Sequence, residues 1–232
     1  NYLYHNGSYK EVANDPEALL ALERASENLA RMYKGKFHVF ELGNELNFQR
    51  IEVMAPEDYA KVCQAAYRGL KKGNPDCTVL SMGHSRPATD LFERYLAVPG
   101  GRPFDDASIH IYAAQGYPDT TEWEFMAKQT KEAIARSGYS NDDMKLWVTE
   151  SGMNVHTSYG TDQQVENVLV RQFVLTECFN AVDKFIMYQL QTYETDPNNP
   201  EDWYGCLQGR GTKNANGARK RYLGVCNFIA MT

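Results

Sequence analysis

The sequence predicts an α/β fold of the (β/α)8 TIM-barrel type, present here as a partial barrel. Segments with helical spacing of apolar residues alternate with short apolar runs along the 232 residues, as in βα units around a parallel sheet. In addition, carboxyl, imidazole and phenol groups stand at the ends of three of these runs, where the loops of a barrel assemble a site. We therefore predict one barrel-type domain over residues 1–232.

The first helix and the first strand have clear local signals. Asn14-Asp15-Pro16-Glu17 supplies a cap, a proline for the first turn and an acidic residue, and apolar residues then recur near helical spacing over residues 18–33. Gly35 ends this helix. The aromatic and β-branched run over residues 37–42 predicts the first strand.

The same alternation predicts the rest of the chain. Further helices are expected over residues 56–72, 90–98, 122–136 and 162–180 and from Ala218 onward, with strands over residues 78–82, 107–112, 145–149 and 184–190. A complete barrel has eight strands in about 250 residues, whereas these units already occupy almost the whole chain. We therefore expect strands 4–8 and helices 3–8 of an N-terminally incomplete barrel, completed by an upstream segment or by a second chain.

Composition and spacing exclude several classes of function. The 24 Lys and Arg against 30 Asp and Glu give a net charge of −6, so a nucleic-acid partner is not expected. Apolar runs are far shorter than the roughly 20 residues of a membrane-spanning helix, so no membrane partner is expected either. The five histidines and five cysteines lack metal-ligand spacing, and we predict no metal and no cofactor. The sequon Asn6-Gly7-Ser8 favours an extracellular or secreted protein.

The segment Glu41-Leu42-Gly43-Asn44-Glu45 ends the first predicted strand in amide and carboxyl groups. With a period of two, Glu41, Gly43 and Glu45 share one face of that strand. Glu45 would then lie at the mouth of a barrel. Taken alone, the segment leaves open that Asn44 and Glu45 cap the next helix or begin a turn.

A second glutamate ends the strand that contains Leu146, Val148 and Glu150 on one face. Two predicted strands separate it from Glu45 in the sequence, so we expect the two glutamates on strands that face each other across a barrel. On an intervening strand, His110 and Tyr112 are expected on the interior face. The Tyr112 phenol can donate a hydrogen bond that favours an ionised carboxylate, and the alternative is that Tyr112 only packs at the rim.

The three strand ends Gly43-Asn44-Glu45, His110-Ile111-Tyr112 and Thr149-Glu150-Ser151-Gly152 resemble those of the clan A retaining glycoside hydrolases. The resemblance implies that Glu45 is the acid/base, that Glu150 is the nucleophile, and that Asn44 holds the sugar 2-hydroxyl. The sequence of residues 41–45 is most similar to that of heparanase and β-glucuronidase relatives, and β-xylosidase and arabinofuranosidase relatives come close.

His110, Tyr112 and Trp203 complete the set of expected substrate contacts. Trp203 is the candidate for stacking on a sugar, because Trp147 is expected to point away from Glu150 and Trp123 begins a predicted helix. The usual tryptophan on the last strand of the family has no counterpart in residues 185–191. The segment from Glu201 to Leu207 also resembles the family's loop after strand eight. Processed two-chain barrels in heparanase relatives imply that a second chain is one way to complete this barrel.

The expected function is retaining hydrolysis of glycosidic bonds in an oligo- or polysaccharide, by double displacement with two glutamates. The alternative is a non-catalytic barrel that binds carbohydrate or serves as a scaffold, which the missing strands and the missing tryptophan would fit. Hydrolysis and carbohydrate binding both have a carbohydrate as the partner. Turnover of aryl glycosides separates the two.

Overall fold

The computed structural model describes eight stretches of the chain, which are residues 9–47, 55–86, 89–100, 102–112, 121–154, 162–191, 198–199 and 203–207. These residues belong to two compact units. The first unit lies within Asn1–Ile109 and Gln129–Trp147, and the second lies within His110–Lys128 and Val148–Thr232. The single domain over residues 1–232 stays a prediction.

The described residues form six helices and six strands in a mostly alternating order. The helices are α1 (Tyr9–Asn14), α2 (Pro16–Tyr33), α3 (Pro56–Gly73), α4 (Thr89–Leu96), α5 (Thr121–Arg136) and α6 (Asp162–Phe179). The strands are β1 (Val39–Glu41), β2 (Thr78–Leu80), β3 (His84–Ser85), β4 (Ala107–His110), β5 (Leu146–Ser151) and β6 (Lys184–Met187).

The strands follow one another in the sheets as they do in the sequence. β1 pairs with β2 in parallel, with Val39 opposite Thr78 and Glu41 opposite Leu80. The remaining strands form a sheet in the order β3-β4-β5-β6, and a parallel bridge joins Leu80 to Asp106 just before β4. Parallel strands in sequential order, with helices between them, form the wall of a barrel. The predicted α/β class is confirmed.

Most helices and strands begin and end within a few residues of their predicted bounds, and two differences stand out. The strand predicted over residues 78–82 ends at Leu80 as β2, and a second short strand, β3, follows at His84–Ser85. Its ladder is interrupted because the Met82 N–H donates to the buried Tyr59 hydroxyl at 2.6 Å instead of to a neighbouring strand. The short helix α1 was not predicted. The expected helix from Ala218 lies outside the described residues.

The first unit contains a helix pair with an unusually close approach. A Cβ atom placed on Gly69 would overlap the backbone carbonyl oxygen of Glu23, and one placed on Gly73 would overlap that of Glu27. Only glycine leaves enough space for the backbones of α2 and α3 to approach in this way. The two glycines therefore set the distance between these helices.

Ion pairs on the surface of the first unit join α2 to α3, α3 to α4 and α4 to α5. α2 pairs with α3 through Glu23–Arg68 at 2.9 Å and Glu27–Lys72 at 2.8 Å. α3 pairs with α4 through Glu57–Arg94 at 2.8 Å, and α4 pairs with α5 through Glu93–Arg136 at 2.9 Å. In every pair the glutamate is on the earlier helix and the base is on the later one.

The Asp105 carboxylate, in the loop before β4, binds three donors near β2. It accepts hydrogen bonds from the Tyr67 hydroxyl at 2.9 Å and the Val79 backbone N–H at 2.8 Å, and it pairs with the Lys71 ammonium at 2.6 Å. Burial, and then the hydrogen bond to Asp105, raise the pKa of the Tyr67 phenol to about 12. Burial also raises the pKa of the Tyr59 phenol.

These tyrosines predict a loss of stability in alkali. An unfolded phenol ionises near its ordinary pKa of about 10, so above about pH 10 the unfolded state releases protons that the folded state still holds. The free energy of unfolding should therefore be steady below about pH 10 and should fall between about pH 10 and about pH 12. Urea titrations across this range test the expectation, and Tyr67→Phe should make the fall smaller. An unchanged free energy of unfolding at about pH 11 would contradict it.

The core of the second unit joins α6 to the end of β5. Met153, Val165, Val168, Leu169 and Cys206 are buried together, with Phe173 and Met187 packed against them. Trp123, also in this unit, is buried and meets Phe185 edge to face at 6.2 Å.

Among the described residues, no helix combines the length and the apolar character that crossing a membrane requires.

Candidate functional site

His110, the last residue of β4, and Tyr112, two residues further along, approach the carboxylate of Glu150 on β5, within the second unit. The Tyr112 hydroxyl donates a hydrogen bond to Oε1 of Glu150, and His110 Nδ1 lies 3.5 Å from Oε2. His110 and Tyr112 are two residues apart, so they extend from the same face, as the sequence analysis expects. The Ile111 N–H donates to the Glu150 carbonyl oxygen at 3.1 Å and fixes the register between the two segments.

The Glu150 carboxylate is held at its base and open at its outer side. The His110 side chain is 2% exposed, whereas the Glu150 side chain is 26% exposed. A carboxylate that is oriented by protein donors, yet partly accessible, is suited to react with a bound molecule.

The Tyr112 phenol holds its proton more tightly than an ordinary tyrosine does. Burial is the main cause that raises the pKa of its phenol far above the ordinary value, and the hydrogen bond to the negatively charged Glu150 raises it further. The neutral phenol therefore keeps its proton, and Glu150 keeps its donor.

Three tyrosine rings pack against one another beside Glu150. The ring centroids of Tyr112 and Tyr188 are 6.4 Å apart, those of Tyr112 and Tyr204 are 5.6 Å apart, and those of Tyr188 and Tyr204 are 5.4 Å apart. All three pairs are close to edge-to-face, which is a favoured arrangement of aromatic rings. The family resemblance leaves the last strand without its usual tryptophan, and the structure has the half-buried ring of Tyr188 directly after β6.

A glycine allows the chain after β6 to lie against the end of β5. The Tyr188 N–H donates to the Ser151 carbonyl oxygen at 2.7 Å. A Cβ atom on Gly152 would overlap the Tyr188 carbonyl oxygen and lie 3.1 Å from the Tyr204 ring. The Gln172 side-chain amide of α6 donates to the buried Ser151 hydroxyl at 3.2 Å and holds the same strand end from the helix side.

Glu45 lies in the first unit, beyond the end of β1. Its backbone N–H donates to the Gly83 carbonyl oxygen at 2.8 Å, and Asn44 forms a parallel bridge with Gly83. The expectation that Glu41, Gly43 and Glu45 share one strand face is wrong, because the strand ends at Glu41. Gly43 and Glu45 then have positive φ angles of 130° and 47°, which end the alternation of faces.

The predicted site residues are thus found in both units. The second unit brings His110, Tyr112 and Glu150 together and contains the half-buried Trp203 next to Tyr204. The first unit contains the exposed Asn44 and the half-buried Glu45.

Sequence reasoning did not select Tyr188, Tyr204 or Asn47. Tyr188 could have been found from its position, because it follows the last strand just as Tyr112 follows β4. Asn47 is two residues beyond Glu45, and its contact with Ser85 is described below. No local pattern distinguishes Tyr204 or Asn47 from ordinary loop residues.

The solved structures that resemble this one include several glycoside hydrolases, and the chain has the glycosidase-like TIM-barrel fold of that class, in part. A family 39 glycoside hydrolase from the gut symbiont Bacteroides cellulosilyticus WH2 matches with a TM-score of 0.72 and 23% identity, over 92% of this chain and 45% of that one. A monomeric β-xylosidase from Caulobacter crescentus CB15 matches with a TM-score of 0.64 and 15% identity, over 89% and 45%.

A third similar structure is the GH53 catalytic domain of Ignisphaera aggregans, with a TM-score of 0.61 and 14% identity, over 97% of this chain and 67% of that one. The present chain thus spans less than half the length of the first two structures and two thirds of the third. No protein-family model matches the sequence, and no curated protein matches it.

Proposed function

We propose that this chain carries the catalytic residues of a retaining glycoside hydrolase, with Glu150 as the nucleophile and Glu45 as the acid/base. The observation that carries the proposal is the environment of Glu150, which is held by Tyr112 and His110 and remains partly accessible. The glycosidase-like fold supports it, because Glu150 lies near the C-terminal end of β5 and Glu45 lies beyond the C-terminal end of β1, and barrel enzymes react at these strand ends.

In the first step, a Glu150 carboxylate oxygen attacks the anomeric carbon of the sugar and the glycosidic C–O bond breaks. Glu45 gives its proton to the departing oxygen, so the leaving group departs as a neutral alcohol. The products of this step are a glycosyl ester on Glu150 and an ionised Glu45.

In the second step, Glu45 takes a proton from a water molecule, whose oxygen attacks the anomeric carbon. The bond from that carbon to Glu150 breaks, and the electron pair returns to the carboxylate. Two inversions at one carbon give overall retention, and both glutamates return to their starting protonation.

The remaining residues of the proposed site bind and orient the substrate. Asn44 would hold the sugar 2-hydroxyl, while His110 and Trp203 would contact the sugar ring. Tyr112 orients Glu150. The substrate is an oligo- or polysaccharide in an extracellular setting, and further βα units, from the same polypeptide or a second chain, complete the barrel around it. The exposure of apolar Val39 on β1 (40%) and Ile186 on β6 (49%) supports this completion.

Covalent trapping tests the proposed function. Aryl glycosides, including glucuronides and xylosides, identify a sugar that the protein accepts. The corresponding 2-fluoro glycoside with an activated leaving group should then inactivate the protein and leave one sugar on Glu150, seen by peptide mass spectrometry. Sugar binding with neither turnover nor labelling would instead support the non-catalytic alternative.

Removing the Tyr112 hydroxyl should slow the reaction without abolishing it. Tyr112→Phe deletes the donor to Oε1 and leaves His110 as the second group beside Glu150. Loss of a hydrogen bond to a charged group, about 1.5–3 kcal/mol, corresponds to about a 10- to 100-fold lower kcat if it is felt fully in the transition state. Tyr139→Phe, in the loop after α5, is the matched loss of a hydroxyl and should leave kcat unchanged. An unchanged kcat for Tyr112→Phe would exclude an orienting role.

A further inference from the structure

The backbone that carries Glu45 stays in contact with the segment after β2 for several residues beyond the strand. The Leu42 N–H donates to the Leu80 carbonyl oxygen at 3.2 Å, and the Gly83 N–H donates to the Gly43 carbonyl oxygen at 3.4 Å. The Glu45 N–H then donates to the Gly83 carbonyl oxygen at 2.8 Å. The backbone hydrogen bonds between the two segments thus continue up to Glu45, the proposed acid/base.

Beyond Glu45, a side chain takes the place of the backbone in this series of hydrogen bonds. The Asn47 amide nitrogen donates to the Ser85 carbonyl oxygen at 2.9 Å, and the Ser85 N–H donates to the Asn47 amide oxygen at 3.0 Å. An asparagine side chain presents one acceptor and a donor in the same plane, as a peptide group does. Asn47 therefore bonds to β3 in the way that a neighbouring strand would.

The position of these bonds matters because Glu45 has a left-handed backbone, with φ at 47°. This conformation is unfavourable for a residue with a Cβ atom and persists only where the surrounding contacts enforce it. One contact is on the Glu45 N–H itself, and the Asn47–Ser85 pair is two residues further along. The turn is therefore fixed on both sides of the Glu45 side chain.

We propose that Asn47 is a positioning residue for Glu45, because its two hydrogen bonds to Ser85 fix the left-handed turn from which the Glu45 carboxyl extends. This inference rests on the proposed function, in which Glu45 protonates the leaving oxygen. Asn47 itself does not touch the reacting atoms in this account. Its effect is on the direction of the carboxyl, and proton transfer depends strongly on that direction.

Asn47→Asp is the sharpest variant, because aspartate has nearly the same shape and can still accept from the Ser85 N–H. Its carboxylate cannot donate to the Ser85 carbonyl oxygen and would repel it. Asn47→Ala removes both bonds without adding a charge, so it serves if the aspartate variant does not fold. Asn28→Asp makes the same change of charge at an exposed position of α2 and is the matched control.

The readout is the dependence of the rate on the leaving group. A phenyl glycoside needs a proton from Glu45 as its bond breaks, whereas a 2,4-dinitrophenyl glycoside of the same sugar departs without one. We expect Asn47→Asp and Asn47→Ala to lower kcat/KM for the phenyl glycoside by about 10- to 100-fold, a part of what a general acid contributes. For the dinitrophenyl glycoside, kcat/KM should change by less than about threefold, and Asn28→Asp should match the parent protein with both substrates.

Glu45→Ala is measured alongside, so that the two hypotheses fail separately. Suppose that Glu45→Ala selectively lowers kcat/KM for the phenyl glycoside, whereas both Asn47 variants retain the parent value. Asn47 then does not position Glu45, and only this inference is wrong. Equal losses with both substrates in the Asn47 variants would show a general structural role and would also overturn it. If Glu45→Ala shows no dependence on the leaving group, Glu45 is not the acid, and the proposed function fails with the inference.

Discussion

Replacing Glu150 by alanine is expected to lower kcat by about 10⁴-fold or more, since loss of a covalent nucleophile removes a group on which both chemical steps depend. The fold should persist, because the Glu150 side chain is partly exposed and Tyr112 and His110 are held by their own segment. The measurement is turnover of the accepted aryl glycoside, with a thermal unfolding curve for each variant.

Rescue of the Glu150→Ala variant by azide would show that the lost group is a nucleophile. The small anion can enter the space left by the carboxylate and attack the anomeric carbon of an activated glycoside, which should restore turnover and give a glycosyl azide of inverted configuration. Glu177→Ala removes an exposed glutamate from α6 and is the matched control, with activity expected to equal that of the parent. A Glu150→Ala protein that retains more than about a tenth of the parent kcat would rule out the assigned role.

Gly152→Ala is expected to lower the free energy of unfolding by about 3 kcal/mol, at the upper end of the range for an added group that overpacks a core. It is also expected to abolish activity. The new methyl group would occupy the space of the Tyr188 carbonyl oxygen and contact the Tyr204 ring. Relief requires the chain after β6 to move away from β5, and this breaks the hydrogen bond between Tyr188 and Ser151. Urea denaturation measures the loss.

Substitution of a second glycine, Gly35, distinguishes the effect of steric overlap from that of backbone strain. Gly35 has a positive φ of 80° with open space around its Cβ position, so Gly35→Ala strains the backbone without any overlap. Its expected cost is about 1–2 kcal/mol, with activity unchanged. If Gly152→Ala were no more destabilising than Gly35→Ala, the packing of Tyr188 on Gly152 would not be the constraint described here.

The α/β class and the limits of most helices and strands could be predicted because they depend on local spacing. α3, expected over residues 56–72, is found at Pro56–Gly73, and the strand expected over residues 145–149 is found at Leu146–Ser151. The approach of His110 and Tyr112 to Glu150 follows from period-two geometry on neighbouring parallel segments.

The unpredicted features depend on contacts between residues distant in sequence. The break after β2 exists because the Tyr59 hydroxyl of α3 binds the Met82 N–H, and no pattern near Met82 contains that information. The left-handed Glu45 and the Asn47–Ser85 pair likewise join segments 38 residues apart. The tyrosine cluster beside Glu150 requires a loop residue, Tyr204, to meet the end of β6.

The ion pairs between consecutive helices give the helix layer of the first unit a direction. α3 and α4 each present a glutamate toward the following helix and a base toward the preceding one, as in Glu57–Arg94 followed by Glu93–Arg136. A helix docked on the wrong side of its neighbour would place acid against acid or base against base. Such exposed pairs add little to stability, but they penalise incorrect arrangements. The charges therefore favour the sequential order of these neighbouring helices over other arrangements.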